Sequence, residues 1–163
     1  MKIHLSIASG GLTALLVGMI AIGSVAARAD DDGGGKVGIS TALAPAAIGP
    51  YSQAIRVGKI VYVSGEVGID PMTGQFAGAT IGEQTDQVLK NVAAILAAAG
   101  LTLDNVVTTT VYLLDVNDFA GMNAAYGTHF NNPAPARATI QVAALPKKGA
   151  LVEISAIAVI PTD

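Results

Sequence analysis

The chain has 163 residues, 13% of them charged, with a formal charge of −3 and no cysteine. The missing cysteines exclude disulfide staples and thiolate chemistry. An acidic balance with no basic cluster and no tryptophan works against nucleic acid as a partner.

Lys2, an uncharged stretch from Leu5 to Ala27 and the small-x-small sequence Ala27-Arg28-Ala29 have the layout of a secretory signal peptide cut after Ala29. An uncleaved membrane anchor is the alternative, because the stretch is long enough to span. The Ala-x-Ala site and the interspersed Gly, Ser and Thr favour cleavage. A lipid anchor at the cut would need a cysteine. The expected organisation is a signal peptide over 1–29, a flexible leader over 30–36 built on Asp30-Asp31-Asp32-Gly33-Gly34-Gly35, and one domain over 37–163. Cleavage leaves seven basic against twelve acidic residues, a charge of −5. It predicts a periplasmic or secreted protein with no membrane contact once the signal is removed.

Within the domain, Ser52 to Val57 and Lys59 to Ser64 read as strands joined at Gly58, the second β-branched and aromatic as strands prefer. Asp70-Pro71-Met72-Thr73-Gly74 reads as a turn. Val88, Val92, Ile95 and Ala99 recur at helical spacing, which predicts a helix from Thr80 to Ala99 stopped by Gly100. Val106 to Leu114 is a Val- and Thr-rich strand. A second helix is expected from a cap at Asn117 or Asp118 to about Phe130, ahead of Pro133. Strands Ala138 to Val142 and Leu151 to Ile160 close the chain through a turn at Pro146 to Gly149. This order predicts an α+β fold with a mixed sheet and both helices on one face. The strands are apolar on both sides, so the second face needs cover, and identical subunits are the simplest source.

Two charges stand out. Arg137 precedes one strand and Glu153 lies inside the other. A carboxylate in a core strand needs a partner or a task, because unpaired burial of charge is costly. The two could form a structural ion pair, or Arg137 could grip a ligand carboxylate with its two-pronged guanidinium. His129 is the only histidine after the signal segment, so a serine–histidine–acid triad has little to stand on, and no metal-ligating cluster or phosphate-binding glycine loop is present. Tyr51 in a Gly-Pro turn, Ser64-Gly65 at a strand end and Asn123 on the second helix complete the polar set, and each has a plain structural reading beside a functional one.

The segments Ala44-Pro45-Ala46-Ala47-Ile48-Gly49-Pro50-Tyr51-Ser52-Gln53-Ala54, Val61-Tyr62-Val63-Ser64-Gly65, Gln84 to Asn91, Val107 to Leu113, Asp118-Phe119, Pro135-Ala136-Arg137 and Leu145-Pro146 through Val152-Glu153-Ile154 together resemble the RidA (YjgF) family. The resemblance implies a chorismate-mutase-like fold, assembled as a homotrimer with clefts between subunits. It also implies cofactor-independent hydrolysis of 2-imino and 2-enamino acids to 2-keto acids and ammonia, with no metal; the acidic charge, not the resemblance, argues against a nucleic-acid partner. By the same resemblance Arg137 would clamp the substrate carboxylate and Glu153 would activate water. Tyr51, Ser64, Gly65 and, more weakly, Asn123 would line the substrate site. The chain departs from the family pattern at Ala138 and Thr139, where Ser and Cys are common, at Glu66, where a glutamine is usual, and at Gly68, near a usual proline. The competing readings are a trimer that binds small carboxylates without turnover and, against the charge, a ribonuclease.

Overall fold

The computed structural model describes residues 35–162. The expected signal peptide and the leader up to Gly34 lie outside the described residues. Six strands form one sheet: β1 (Lys36–Ile39), β2 (Ala54–Val57), β3 (Ile60–Val67), β4 (Val106–Leu113), β5 (Ala136–Gln141) and β6 (Val152–Val159), with helices α1 (Ile81–Ala98) and α2 (Phe119–Tyr126). The sheet order is β1-β2-β3-β6-β4-β5. Only β4–β5 is parallel; the other pairs run antiparallel. The α+β layout with a mixed sheet is as expected from sequence.

Helix α1 forms where the apolar spacing placed it. Thr80 caps it, accepting from Glu83 N while the Glu83 carboxylate accepts from Thr80 N at 3.0 Å, a reciprocal arrangement that satisfies two free amides of the first turn. Its buried stripe of Val88, Leu89, Val92, Ile95 and Leu96 packs on the sheet residues Val61, Val63, Ile154 and Ala156. Each such side chain contributes about 1.5–3 kcal/mol. Gly100, at φ +75°, ends the helix in the left-handed region that glycine enters without penalty.

Four sequence expectations change. Strand β1 was not anticipated. Asp118, one of the two expected caps, does hold the N-cap position of the second helix but makes no side-chain cap bond; Asp115 accepts from Asn117 N at 2.9 Å instead and opens a 3-10 turn over Val116–Asp118. The α-helix then ends at Tyr126 rather than near Phe130, because Gly127 and Thr128 turn back on it, Thr128 Oγ1 donating to Ala125 O at 2.7 Å. Arg137 lies inside β5, which starts one residue before it.

Two polar side chains of α1 set the geometry beside the site. Buried Asn91 donates to Val67 O and Ile69 O at 3.1 and 2.9 Å, which fixes the end of β3. Gln84 donates to Gly149 O and accepts from Leu151 N at 2.9 Å, which fixes the entry to β6. The backbones of Gly68 and Gln84 meet so closely that a Cβ at 68 would fall 2.8 Å from Gln84 Cα. A side chain there would pry α1 off the sheet end that carries the site.

Candidate functional site

Alternation along the strands gives the sheet two distinct faces. Val111, Leu113, Val152, Ile154 and Ala156 are buried under the helices. Glu153 takes the intervening position and pairs with Tyr112 across the β4–β6 ladder, on the face the helices leave open. At its end a cleft of about 410 Å³ is lined by Tyr51, Ser64, Gly65, Glu66, Lys147 and Glu153, with apolar wall residues Pro45, Ile48 and Ile69 among others. A larger hollow of about 520 Å³ adjoins it through Ala46 and Tyr51 but contains no charged side chain.

The irregular end of β3 builds the cleft floor. The β3–β6 register shifts between Val63 and Glu66, a bulge of the kind that re-aims side chains beside sites. Ser64 is tied down by its hydroxyl, which donates to Ser52 O at 2.7 Å, and by its amide, which donates to Gln53 O at 3.0 Å. Gly65 leaves space that the Glu153 carboxylate fills: a Cβ at 65 would lie 2.7 Å from Glu153 Cδ. Tyr51 is half exposed, and its hydroxyl accepts from Ile48 N at 3.4 Å, so the loop that carries it folds back over one wall.

The electrostatics are those of two acids kept from water. Burial pushes the Glu153 carboxyl up from the ordinary carboxylate range. Glu66, only 5% exposed, is pushed up to about 8, first by burial and then by the negative charge of Glu153. Among the described residues neither acid forms a salt bridge. A group poised near neutrality in a cleft can exchange protons with a bound molecule at physiological pH.

Arg137 lies elsewhere. It stands opposite Thr109 in the β4–β5 ladder, a position buried under α2. Its guanidinium stacks 4.6 Å from the Tyr126 ring centroid and 5.8 Å from that of Phe119, with Nη1 3.9 Å from Met122 Sδ. No carboxylate pairs with it among the described residues. Within one protomer Arg137 and Glu153 are therefore on opposite faces of the sheet, and the ion pair considered from sequence does not form. Asn123, half-buried on α2, is also outside the cleft. The fold thus brings Tyr51, Ser64, Gly65 and Glu153 together and leaves Arg137 and Asn123 on the helical side. His129 Nε2 meets Asp86 Oδ1 at 2.7 Å, which joins the end of α2 to α1 and occupies the histidine structurally. No group of three or more acids or histidines is placed to hold a metal among the described residues.

Glu66 stands out in the sequence as a departure from the family pattern but was not counted among the site residues, although a second signal was present. It is an acid inside the apolar run Ile60–Val67, the same anomaly that singled out Glu153.

Comparison with known proteins gives a consistent result. The family model described as Endoribonuclease L-PSP matches residues 41–160. A mouse protein named 2-iminobutanoate/2-iminopropanoate deaminase is 55% identical over 121 residues, covering 74% of this chain and 89% of its own. The human protein of that name is 52% identical with 74% and 88% coverage. Among solved structures, RidA from an Antarctic Psychrobacter superposes with a TM-score of 0.72 at 48% identity over 75% of this chain and 98% of its own. E. coli TdcF with bound serine superposes at 0.72, with 41% identity and 77% and 99% coverage. Agreement of this extent in both sequence and fold makes the chain a member of the endoribonuclease L-PSP family, the group also called RidA or YjgF.

Proposed function

We propose that this protein hydrolyses small 2-imino acids, and the 2-enamino acids in equilibrium with them, to 2-keto acids and ammonia. The observation that carries the reading is Glu153: a carboxylate on a core strand, without a cationic partner among the described residues, seated against Gly65 in a cleft and raised in pKa by burial. Relatives 52–55% identical bear the name of that deaminase, which supports the substrate class.

A protonated imine is already a strong electrophile, so the protein's task is to position it and to supply a base for water. Glu153 takes a proton from water as its oxygen adds to the imine carbon. The resulting carbinolamine receives that proton on nitrogen, and ammonia is expelled as the hydroxyl proton passes back to the carboxylate. The carboxyl then gives this proton to the departing ammonia, which leaves as ammonium and frees the base. Ser64 and the Gly65 backbone contact the reacting centre, and Tyr51 closes one wall.

Arg137 is the carboxylate clamp in this reading. Its guanidinium has aromatic support but no acidic partner among the described residues, which leaves its polar edge available. It lies across the sheet from Glu153 in the same protomer, so one substrate meets both only if the Arg137 and Asn123 of one copy reach the cleft of another. A homotrimer covering the open sheet face, with Tyr62 and Ile140 exposed on it, supplies that arrangement. The signal-peptide reading places the assembly outside the cytoplasm, where an amino-acid oxidase or dehydrogenase would be the source of imines.

The test is keto-acid release from imine generated in situ by an amino-acid oxidase, for wild type and Arg137→Ala, together with native mass measurement. Acceleration by wild type, loss in the variant and a mass of three protomers are expected. Binding of a 2-keto acid without acceleration would leave a carboxylate-binding trimer instead. A stable monomer would remove the shared site.

A further inference from the structure

The polar pair between the two helices has no task in the deaminase reading, yet it ends beside the residue that reading needs for its clamp. His129 Nε2 lies 2.7 Å from Asp86 Oδ1, and Lys90 Nζ takes the other carboxylate oxygen at 2.6 Å. No other side-chain hydrogen bond joins α1 to residues 119–130 among the described residues. Helix α2 has eight residues, too few to hold a position by itself, so its placement rests on tertiary contacts. Its start packs on α1, where a Cβ at Gly121 would fall 2.7 Å from Ile81 Cγ2. Its end runs on into Gly127-Thr128-His129, and His129 N donates to Tyr126 O at 3.1 Å. The imidazole therefore anchors the far end of the turn that begins at Tyr126.

We infer that the His129–Asp86 bond positions Arg137. It fixes the turn after α2, the turn fixes the Tyr126 ring, and the ring carries the guanidinium. Asp86 and His129 are thus positioning residues: they set the affinity of the site for a substrate carboxylate without touching the substrate. The inference rests on the proposed role of Arg137 as the carboxylate clamp and names the residues that hold that clamp. The path is short and made of direct contacts. The Tyr126 ring centroid is 4.6 Å from that of Phe130, the residue after His129, and 4.6 Å from the guanidinium carbon of Arg137. A turn released at His129 moves Phe130 against Tyr126 and so tilts the surface on which Arg137 lies.

The chemistry of the pair suits a permanent latch. The bond to Lys90, and after it the bond to His129, hold the Asp86 carboxyl below its ordinary range, so it remains an acceptor at neutral pH. The imidazole donates from Nε2 both as that neutral tautomer and as the imidazolium, so the bond survives either charge state of the histidine. A fully exposed ion pair contributes little, but the His129 side chain is only 15% exposed, and the bond closes a turn as well as pairing charges. Two-pronged recognition of a carboxylate is what makes such a latch matter. A guanidinium grips with two parallel bonds only when its plane is set correctly, and the Tyr126 ring sets that plane.

The experiment uses the intact native assembly of wild type, Asp86→Ala, His129→Ala and His129→Gln, with methyl-labelled methionine. Met122 Sδ lies 3.9 Å from Arg137 Nη1 and is buried, whereas Met72, the other methionine among the described residues, is exposed. The Met122 methyl resonance therefore reports the guanidinium stack without any assay of activity. It is expected to shift in both alanine variants. Binding of 2-oxobutanoate by calorimetry should weaken in both by about tenfold, the loss of one charge-assisted bond, with kcat changed by less than about twofold. His129→Gln keeps an N–H donor and should restore both the resonance and the affinity. Asp86→Ala added to Arg137→Ala should cause no further loss of affinity, because the latch acts through the residue already removed. An unmoved Met122 resonance, an unchanged affinity in the alanine variants where Arg137→Ala weakens binding, or an equal further loss in the Arg137→Ala background would each overturn the inference. The deaminase reading is judged separately. These binding effects with no faster keto-acid release would leave the latch standing and remove the enzyme, whereas turnover with affinities indifferent to Asp86 and His129 would do the reverse. An affinity unchanged in Arg137→Ala would remove the clamp, and the Met122 methyl alone would then decide whether the latch holds the stack.

Discussion

Gly65 and Glu153 share one volume: the carboxylate of the second occupies the space where any side chain on the first would begin. The neighbour that would have to yield is the far end of a flexible chain, so Gly65→Ala is expected to fold. It should expel the Glu153 carboxylate from its seat. A misplacement of about 1 Å costs roughly 10²-fold in rate, so kcat should fall by about that factor while the melting temperature changes little. A loss of stability without selective loss of kcat would mean that the contact shapes the bulge and not the base.

Arg137 depends on the rings of Tyr126 and Phe119 for its position. Arg137→Lys keeps the charge but removes the planar group that stacks and that grips a carboxylate with two parallel bonds. The expected result is a KM for imino acids at least about tenfold higher, the equivalent of one lost charge-assisted bond of about 1.5–3 kcal/mol. A modest loss of stability, about 1 kcal/mol from the stacking, should accompany it. An unchanged KM would show that the substrate carboxylate is held elsewhere.

Glu66 also makes fold stability depend on pH. Its carboxyl is raised from an ordinary value of 4.5 to about 8 in the folded protein. Below about 4.5 both folded and unfolded chains hold the proton and no penalty exists. Between about 4.5 and 8 the unfolded chain releases the proton that the native state keeps, so stability falls with rising pH by up to about 1.4 kcal/mol per unit. Above about 8 the loss is complete. Glu66→Gln lacks this limb. Its stability relative to wild type is expected to rise between about pH 5 and pH 8, measured by denaturant unfolding at one protomer concentration. Parallel curves would contradict the burial of this acid.

What could be read from the chain follows from what each feature depends on. Helix α1 and strand β4 were legible because their signals are local: a 3.6-residue apolar period and a Val/Thr run. Strand β1 was not, because Lys36–Ile39 is short and three of its four residues are exposed, so it has no periodic burial to display and exists only through pairing with β2. Helix α2 was overextended because the residues after Gly127 remain compatible with helix, and the turn that ends it is made by Thr128. Glu153 could be singled out because a charge in an apolar strand is anomalous. Its separation from Arg137 could not, because the parallel β4–β5 pairing and its register decide which face each residue takes, and those contacts are distant in sequence.

The hydroxyl and the ring face of Tyr126 serve different neighbours, and this allows the layer beneath Arg137 to be dissected. Its hydroxyl is 2.7 Å from Thr109 Oγ1 in a buried pair, and its face supports the guanidinium. Tyr126→Phe keeps the face and strands the Thr109 hydroxyl, which should cost about 1–3 kcal/mol for an unsatisfied buried group. KM should stay near the wild-type value, because Arg137 still has its platform. Adding Thr109→Val removes the stranded hydroxyl with little change of shape, and replacement of both partners by apolar groups is close to neutral. The double variant is therefore expected to recover most of the lost stability, with a coupling energy of about 1 kcal/mol or more in a double-mutant cycle. Additive losses would show that the hydroxyl pair is not coupled. A raised KM in Tyr126→Phe would show that the Thr109–Tyr126 bond itself orients the ring beneath Arg137.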